Sequence, residues 1–249
     1  MENVVVLAGG FGKRIKSVWD APKGLIPIWE KTILWYSLKE IEEIGVYKRI
    51  VLVTNEAHKR LYREFLSKSG LKLEVEVVSD GAGECGAARG AIVDLQLGLA
   101  RCEAGGVLVL PCDTVTKGVF KFGDFVEFGK QQVSGLTVLA RRVEKTQIVG
   151  KFGNLKVNSV GKLIEFVEKP AVAISSLAAA AIYYYPEKTR GWVEEYLADG
   201  GNPESPGMII PWLLHKRRDV YVYYVYEVKG KIVDVGRLEE LDWVRQQKC

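Results

Sequence analysis

A glycine-rich loop with basic residues on both sides follows the first hydrophobic segment, in the stretch VVVLAGGFGKRIKSVWDAPKGLIPI. Glycines let backbone N–H groups approach phosphate oxygens, an arginine can hold two of these oxygens, and a lysine supplies a mobile charge. The residues that carry this chemistry are, in chain order, Gly9, Gly10, Gly12, Lys13, Arg14 and Lys23. The stretch therefore predicts a polyphosphate site after a buried strand.

Two common phosphate-binding motifs do not match this loop. A dinucleotide fingerprint that starts at Gly10 needs a further glycine where the chain has Ile15. A Walker loop that ends in Gly12-Lys13 needs a glycine where the chain has Leu7, and a Ser or Thr where it has Arg14. Binding of NAD and a P-loop ATPase are therefore not favoured.

Two aspartates follow apolar segments. Asp113 ends GVLVLPCD and Asp234 lies in KIVDVG. In open α/β sheets, ligands collect at the carboxyl ends of the strands, and Mg²⁺ is typically held by one or two carboxylates together with substrate phosphates. Either aspartate taken alone is more commonly a turn or helix-cap residue. Together they are candidate metal ligands beside the glycine loop.

Strands and helices alternate over the first half of the chain. The predicted elements are NVVVLAG, TILWYSLKEIEEIG, RIVLVTN, AHKRLYREFLSKSG, LKLEVEVVSD, RGAIVDLQLGLAR and GVLVLPCD, with the first two helices ending at Gly45 and Gly70. Buried strands separated by helices predict right-handed crossovers in a doubly wound, mostly parallel, Rossmann-like α/β sheet.

The second half adds further strands and helices. The predicted strands are LTVLARRV, two within NLKVNSVGKLIEFVEKP, AAAAIYYYP, DVYVYYVYEV and KIVDVG, and the predicted helices are RGWVEEYLADGG, GMIIPWLLHKR and LEELDWVRQQ. No linker or repeat divides the chain. We expect one domain over residues 1–249, with a nucleotide-binding half over 1–115 and a substrate half over 116–249.

Composition excludes several classes of function. The 249 residues carry a net charge of +4 without a basic block, which argues against nucleic acid as a partner. The four cysteines lack CxxC spacing and the two histidines are remote, so neither zinc nor a disulfide framework is expected. No secretory signal or apolar run of membrane-spanning length occurs, which predicts a cytoplasmic protein without a membrane partner. Abundant Lys, Arg and Glu with few Asn, Gln, His and Met resemble the usage of a thermophile.

The motif L-A-G-G-x-G-x-R, followed by P-K-x-L-x-P-I, resembles the sugar-1-phosphate nucleotidyltransferases, or nucleotide-sugar pyrophosphorylases. This family includes the glucose-1-phosphate thymidylyltransferases and shorter prokaryotic relatives, and the resemblance extends over residues 1 to about 247. One departure is Lys13, where the family usually has Thr. The resemblance implies that Arg14 and Lys23 are catalytic and that the loop binds the nucleotide through Leu7, Ala8, Gly9, Gly10, Gly12 and Lys13.

Further site residues follow from the same resemblance. It implies Asp113 and Asp234 as the Mg²⁺ ligands. In FVEKP it assigns Glu168 to the sugar hydroxyls and Lys169 to the sugar phosphate, with Gly153 letting the sugar approach the backbone. The base-binding loop is aligned through Asp80, Gly81 and Gly90, although Gly86 is a rival for the family's glycine. Ala181 stands where the family often has glycine and is expected to narrow the sugar pocket.

The implied activity is transfer of a nucleotidyl group from a nucleoside triphosphate to a sugar 1-phosphate, with release of pyrophosphate. Family frequency alone favours dTTP or UTP, and the sugar is not specified. One alternative is a cytidylyl- or guanylyltransferase for a polyol phosphate or a cofactor precursor. Another is a non-catalytic regulatory subunit that binds a nucleotide sugar. The oligomeric state is left open, a homo-oligomer included.

Overall fold

Helices and strands alternate along the computed structural model, which describes residues 2–84, 87–116, 118–225 and 232–247. The strands of these ranges are β1 (Glu2–Ala8), β2 (Pro27–Ile28), β3 (Lys31–Thr32), β4 (Tyr47–Thr54), β5 (Val75–Ser79), β6 (Val107–Pro111), β7 (Thr114–Val115), β8 (Gly135–Arg142), β9 (Asn154–Val157), β10 (Leu163–Val167), β11 (Leu177–Tyr185), β12 (Asp219–Val225) and β13 (Val233–Asp234). The α-helices are α1 (Ile33–Ile44), α2 (Glu56–Lys68), α3 (Ala91–Leu99), α4 (Phe122–Gln131), α5 (Lys145–Ile148), α6 (Trp192–Ala198), α7 (Ile209–His215) and α8 (Leu238–Gln246).

The first half of the chain forms a parallel sheet in the order β5-β4-β1-β6. All seven residues of β1 are buried, as expected for an apolar strand that is covered on both faces. Its two hydrogen-bonded neighbours are β4 and β6, and both run parallel to it. The α/β fold class predicted from the sequence is confirmed.

The sheet has its topological switch point at β1. The chain passes from β1 to β4 and β5 on one side, and returns to β6 on the other side. In doubly wound sheets such a reversal opens a crevice at the carboxyl ends of the strands, where ligands bind. The glycine loop follows β1 and Asp113 follows β6, so the connectivity brings both of them to this crevice.

The second half extends the same sheet with antiparallel strands. Strand β11 pairs antiparallel with β6, β8 and β9, while β12 pairs parallel with β8, which gives nine strands among the described residues. Apolar side chains pack on both faces of the sheet, and a smaller buried group joins the β2–β3 hairpin to α8. Both halves therefore contribute strands to one sheet.

Element boundaries depart from the sequence predictions in a few places. Helix α1 ends at Ile44 and is capped by Gly45, which is left-handed at φ +68°, in agreement with the predicted stop at this glycine. Helix α2 ends at Lys68, two residues before Gly70. Helix α4 was not predicted, although its buried residues recur at helical spacing, namely Phe122, Phe125, Val126 and Gly129. The predicted strand DVYVYYVYEV is observed as far as Val225, and residues 226–228 lie outside the described ranges.

None of the described helices is long and apolar enough to cross a membrane.

Ala181 lies in strand β11 with a left-handed backbone, at φ +52°. The pairing of β11 with β8 shifts register between Ala179 and Tyr183, so Ala181 lies in a bulge. A left-handed backbone costs a residue with a Cβ roughly 1–2 kcal/mol. This conformation gives a physical reason for a glycine at the position.

We expect Ala181→Gly to raise the free energy of unfolding by about 0.5–1 kcal/mol, because relief of the left-handed strain exceeds the added entropy of the unfolded chain. Urea denaturation followed by circular dichroism measures the change. Ala180→Gly is the matched control, since Ala180 is fully buried and is not among the left-handed residues. It should lower the free energy of unfolding, and a similar loss in Ala181→Gly would contradict the prediction.

Candidate active site

An ion pair joins the glycine-loop region to the end of β6. Lys23 Nζ lies 2.7 Å from Asp113 Oδ2, and each side chain is 19% exposed, so the pair is partly shielded from water. Burial alone would lower the pKa of Lys23, but the charge of Asp113 and the hydrogen bond to it outweigh this effect and raise the pKa. Lys23 is therefore a fixed cation at the crevice.

Asp234 lies beside this pair through the short β7–β13 ladder. Asp234 is opposite Thr114 and accepts a hydrogen bond from its hydroxyl. The Val235 N–H donates to the carbonyl oxygen of Asp113 over 2.9 Å. Burial raises the pKa of Asp234 to about 6, the charge of Arg141 opposes this shift, and the charge of Asp113 adds to it. The structure thus brings together the two aspartates that the sequence singled out.

The glycine loop runs along the other side of Lys23. Gly12 is left-handed at φ +63°, and a Cβ built there would lie 3.5 Å from Lys23 Cγ. The turn therefore packs against the aliphatic part of the Lys23 side chain. Leu7 and Ala8 are buried at the end of β1, whereas Gly10, Lys13 and Arg14 are exposed. The charge of Arg14 is close enough to lower the pKa of Lys23, against the larger effect of Asp113.

The loop is anchored to both neighbouring strands by hydrogen bonds. The Cys112 N–H donates to the Leu7 carbonyl over 3.0 Å, and the Thr54 hydroxyl donates to the Ala8 carbonyl over 3.1 Å. The Asn55 side-chain amide donates to the Gly9 carbonyl over 3.0 Å. These bonds fix where the chain leaves the sheet.

The two aspartates fit a divalent cation in donor type and in charge. Both offer carboxylate oxygens, and the negative charge of Asp113 disfavours ionisation of Asp234, a repulsion that a bound cation would relieve. The described residues contain no group of three or more His, Cys, Asp or Glu that could hold a metal by themselves. Such a site would be completed by substrate oxygens, as is usual for Mg²⁺.

Glu168 lies in a narrow cleft between two glycines. A Cβ on Gly153 would come within 3.1 Å of Glu168 Oε2, and a Cβ on Gly207 within 2.6 Å. The Ser205 hydroxyl donates to Glu168 Oε1 over 3.0 Å, and the Glu168 side chain is 11% exposed. The Glu168 carboxylate is therefore held in one position.

Lys169 has a different environment. Its side chain is 54% exposed, and its Nζ lies 3.9 Å from Glu168 Oε1. Its backbone is left-handed at φ +46°, and its N–H donates to the Phe152 carbonyl over 3.2 Å. The backbone of Lys169 is fixed, while its charge remains in contact with solvent.

The loop between β5 and α3 carries the predicted base-binding residues. Asp80 is buried, and its Oδ1 accepts a hydrogen bond from the Ala82 N–H over 2.8 Å, while Gly81 is exposed. Gly90 is left-handed, and a Cβ there would lie 2.5 Å from the Pro203 carbonyl oxygen. The same oxygen accepts a hydrogen bond from the Ile92 N–H over 2.9 Å. The rival Gly86 lies outside the described residues.

A second carboxyl pair lies behind the glycine loop. Asp94 of α3 is buried, and a Cβ on Gly9 would come within 2.2 Å of its Oδ2, so any side chain there would force the Asp94 carboxyl to move. Burial raises the pKa of Asp94 to about 7, the charge of Asp80 and a hydrogen bond with it add to the shift, and Arg89 opposes it. Asp94 therefore holds a proton up to neutral pH.

Sequence reasoning missed several residues at these sites. Asp94, Arg141 and Ser205 all lie at or beside the predicted residues. Asp94 could have been suspected as a lone acid in an apolar helix, and Arg141 as a cation near the end of an apolar strand. Glu240 accepts the Gly236 and Arg237 N–H groups, each over 2.8 Å, and so caps the start of α8 where Arg237 has no acceptor atom.

The chain belongs to the nucleotidyl transferase family, which it matches over residues 3–244.

Individual relatives are distant. The chain is 24% identical over 185 residues to a glucose-1-phosphate thymidylyltransferase of Actinoplanes sp., covering 73% of this chain and 57% of that protein. It is 25% identical over 241 residues to the low-salt glycan biosynthesis nucleotidyltransferase Agl11 of Haloferax volcanii, covering 95% and 63%. The chain thus spans less than two thirds of the length of these relatives.

Among solved structures, the fold is similar to a nucleoside-diphosphate-sugar pyrophosphorylase from Vibrio cholerae RC9. The TM-score is 0.75 at 17% identity, with 98% of this chain and 100% of the other covered. This likeness concerns the fold.

The proton on Asp94 predicts a pH-dependent stability. Between the ordinary pKa of an aspartate, about 4, and the folded-state value near 7, the folded chain keeps a proton that the unfolded chain releases. Stability therefore falls as pH rises through this window. We expect Asp94→Asn to raise the free energy of unfolding at pH 8 by on the order of 2 kcal/mol, and by less at pH 5.

Urea denaturation at pH 5 and pH 8 tests this expectation. The control is Asp242→Asn, which changes an exposed aspartate of α8 in the same way and should have the same small effect at both pH values. An equal effect of Asp94→Asn at both pH values would show that the carboxyl is not protonated at neutral pH.

Proposed function

We propose that this protein transfers a nucleotidyl group from a nucleoside triphosphate to a sugar 1-phosphate, releasing pyrophosphate and forming a nucleotide sugar. The observation that supports this most directly is the convergence of Lys23, Asp113 and Asp234 beside a glycine loop at the topological switch point. Family membership and the names of the relatives are in agreement with it.

The reaction needs positioning and charge neutralisation more than a protein nucleophile. The oxygen of the sugar phosphate is already an anion, and it attacks the α-phosphorus in line with the departing pyrophosphate. The backbone N–H groups of the glycine loop would bind the triphosphate, and the exposed Arg14 would hold the leaving pyrophosphate. Lys23, fixed by Asp113, would neutralise the charge that develops at the α-phosphate.

We assign Asp113 and Asp234 to a bound Mg²⁺, because both present carboxylate oxygens and the charge of one raises the pKa of the other. When bound, the cation would withdraw charge from the phosphate oxygens that it contacts. Lys23 already pairs with Asp113 Oδ2, so it would shield the carboxylates from each other when no cation is bound.

The acceptor would bind on the Glu168 side. Its hydroxyls would donate to the Glu168 carboxylate, which Ser205 already orients and which packs closely against Gly153 and Gly207. Lys169 would steer the phosphate from solvent. The base of the nucleotide would bind at the loop that contains Asp80, Gly81 and Gly90. The first donors to test are dTTP and UTP.

A turnover screen tests the proposal. Purified protein would be incubated with each of the five common nucleoside triphosphates, Mg²⁺ and a panel of sugar 1-phosphates, and phosphate would be measured by malachite green after pyrophosphatase treatment. We expect release that requires both substrates. Pyrophosphate release only with a polyol phosphate would indicate a cytidylyl- or guanylyltransferase for that acceptor. Binding of a nucleotide sugar without any pyrophosphate release would indicate a regulatory subunit.

We expect Lys23→Ala and Asp113→Ala each to lower kcat roughly a hundredfold, since loss of an electrostatic donor of this kind costs about 3 kcal/mol of the barrier. The folded structure should be retained, as followed by circular dichroism. Lys16→Ala removes an exposed lysine of the same region, paired only loosely with Asp20, and should leave kcat unchanged. Pyrophosphate release near the wild-type rate by Asp113→Ala would refute the assignment.

Metal dependence gives a separate prediction. Chelation with EDTA should abolish turnover, and added Mg²⁺ should restore it. Asp234→Asn should raise the Mg²⁺ concentration for half-maximal activity at least about tenfold, because one of two carboxylate ligands is lost. Thermal stabilisation by Mg²⁺ with bound nucleoside triphosphate should weaken in parallel. Asp242→Asn serves as the control, and an unchanged Mg²⁺ response in Asp234→Asn would rule out this ligand.

A further inference from the structure

The start of α2 lies against the glycine loop and contacts it at two points. The buried Asn55 caps this helix, and its side-chain amide also donates to the Gly9 carbonyl over 3.0 Å. Three residues later, the ring of His58 lies against the ring of Phe11, with 5.6 Å between the two centroids. Phe11 stands between two of the loop glycines, so both contacts fall on the part of the chain that the proposed function assigns to the triphosphate.

The hydrogen bonds of Asn55 determine the orientation of its side-chain amide. Its Oδ1 accepts the backbone N–H of His58 over 2.9 Å. A backbone N–H can only donate, so the amide oxygen must face it and the amide nitrogen must face the other way. The two hydrogens of Asn55 Nδ2 then meet two neighbours, the Gly9 carbonyl and His58 Nδ1, each at 3.0 Å.

This orientation also determines the protonation state of His58. Because the amide nitrogen of Asn55 can only donate, His58 Nδ1 must accept, and the imidazole is neutral with its proton on Nε2. A proton on Nδ1 would place two donors against each other at 3.0 Å. Only neutral His58 therefore completes the hydrogen bonds of the amide that holds Gly9.

The surroundings of His58 favour the neutral ring. Burial lowers the pKa of His58 from its ordinary value near 6.5, while the charge of Asp20 raises this pKa and the charge of Lys16 lowers it. Lys16 and Asp20 follow the glycine loop, are exposed, and lie 3.5 Å apart as an ion pair. On α2 itself, Glu56 and Lys59 form another such pair over 3.7 Å. Neutral His58 is thus the form present at neutral pH, and the charged form appears only as the pH falls below the ordinary histidine range.

We propose that His58 is a positioning residue for the triphosphate, which in its neutral form accepts from Asn55, packs on Phe11 and keeps the glycine loop in the shape that binds phosphate. This inference rests on the proposed function and concerns a residue to which neither the sequence nor the comparisons assign a role. His58 acts through Asn55 and Phe11. Protonation of His58 should therefore weaken binding of the triphosphate.

Two substitutions separate the two contacts of His58. His58→Asn places an amide oxygen close to the position of Nδ1, so it keeps an acceptor for Asn55 but cannot become charged. His58→Phe keeps a ring against Phe11 and removes the acceptor. The other histidine of the chain, the exposed His215 of α7, provides the matched control His215→Asn.

Nitrogen NMR of histidine-labelled protein tests the geometry without any ligand. The chain has two histidines, so the spectrum of His58→Asn identifies the signals of His58. At pH 8.0 we expect the ring to carry its proton on Nε2 and none on Nδ1. A neutral ring with its proton on Nδ1 would overturn the inference.

Binding of inorganic tripolyphosphate with Mg²⁺ reports on the loop whatever base the protein selects. Measured by calorimetry, the dissociation constant of wild type and of His215→Asn should rise between pH 8.0 and pH 5.0 about fivefold more than that of His58→Asn, the effect commonly carried by one buried hydrogen bond. Tripolyphosphate and the site carboxylates take up protons in every variant, so the comparison isolates His58. At pH 8.0, His58→Phe should bind about fivefold more weakly than wild type, and His58→Asn within about twofold of it.

An equal pH response in wild type and His58→Asn would overturn the inference. Tighter binding at pH 5.0 by wild type than by His58→Asn would overturn it as well, since His58 would then bind phosphate directly as a cation. Failure of wild type to bind tripolyphosphate would count against the proposed function. Amide exchange of residues 10–14 at pH 8.0 would then decide the positioning role, because it should be faster in His58→Phe than in wild type and His58→Asn, and equal exchange would refute that role.

Discussion

The fold holds the carboxylates of Asp113 and Asp234 close enough to repel each other, and the other charges of the site respond to this repulsion. The β7–β13 ladder places Asp234 beside Asp113, and the pKa of Asp234 is raised by burial and by that neighbouring charge. The Lys23 ion pair with Asp113 and the charge of Arg141 near Asp234 each offset part of this repulsion. The glycine loop lies against Lys23 at this group of charges, which a bound divalent cation would complete in the proposed function.

The sequence predicted the residues that lie directly after the buried strands of the sheet. A continuous apolar run predicts β1, and the carboxyl ends of neighbouring parallel strands must meet, so the glycine loop and Asp113 are brought together by topology alone. Asp234 was a candidate from its short apolar segment, but its pairing with Asp113 was implied by the family resemblance, because 120 positions separate Asp234 from its partner Thr114 in the chain. Their meeting is a long-range event that local patterns do not encode.

Residues whose role depends on tertiary packing could not be predicted. Arg141 belongs to a strand whose other members are nearly all buried. Its contact with the Phe152 ring and its effect on the pKa of Asp234 involve residues from other parts of the chain, so the strand pattern alone could not predict them. Asp94 is the one charged residue of a mostly apolar helix, and its role follows only from its packing against Gly9 and Asp80. Helix α4 was missed because two glycines interrupt a short amphipathic pattern, and packing against β11 and β8 outweighs their low helix propensity.

The contact of Gly90 and Ile92 with the Pro203 carbonyl links the loop between β5 and α3 to the cleft around Glu168. One backbone oxygen anchors the start of α3 and belongs to the segment that leads to Ser205, the partner of Glu168. The Ile92 N–H donates to that oxygen over 2.9 Å, and Gly90 lies so close to it that a Cβ there would be only 2.5 Å away, so the two segments are in direct contact. In the proposed function this contact joins the loop assigned to the base to the cleft assigned to the acceptor, so a substitution that displaces Pro203 is expected to alter the selection of both.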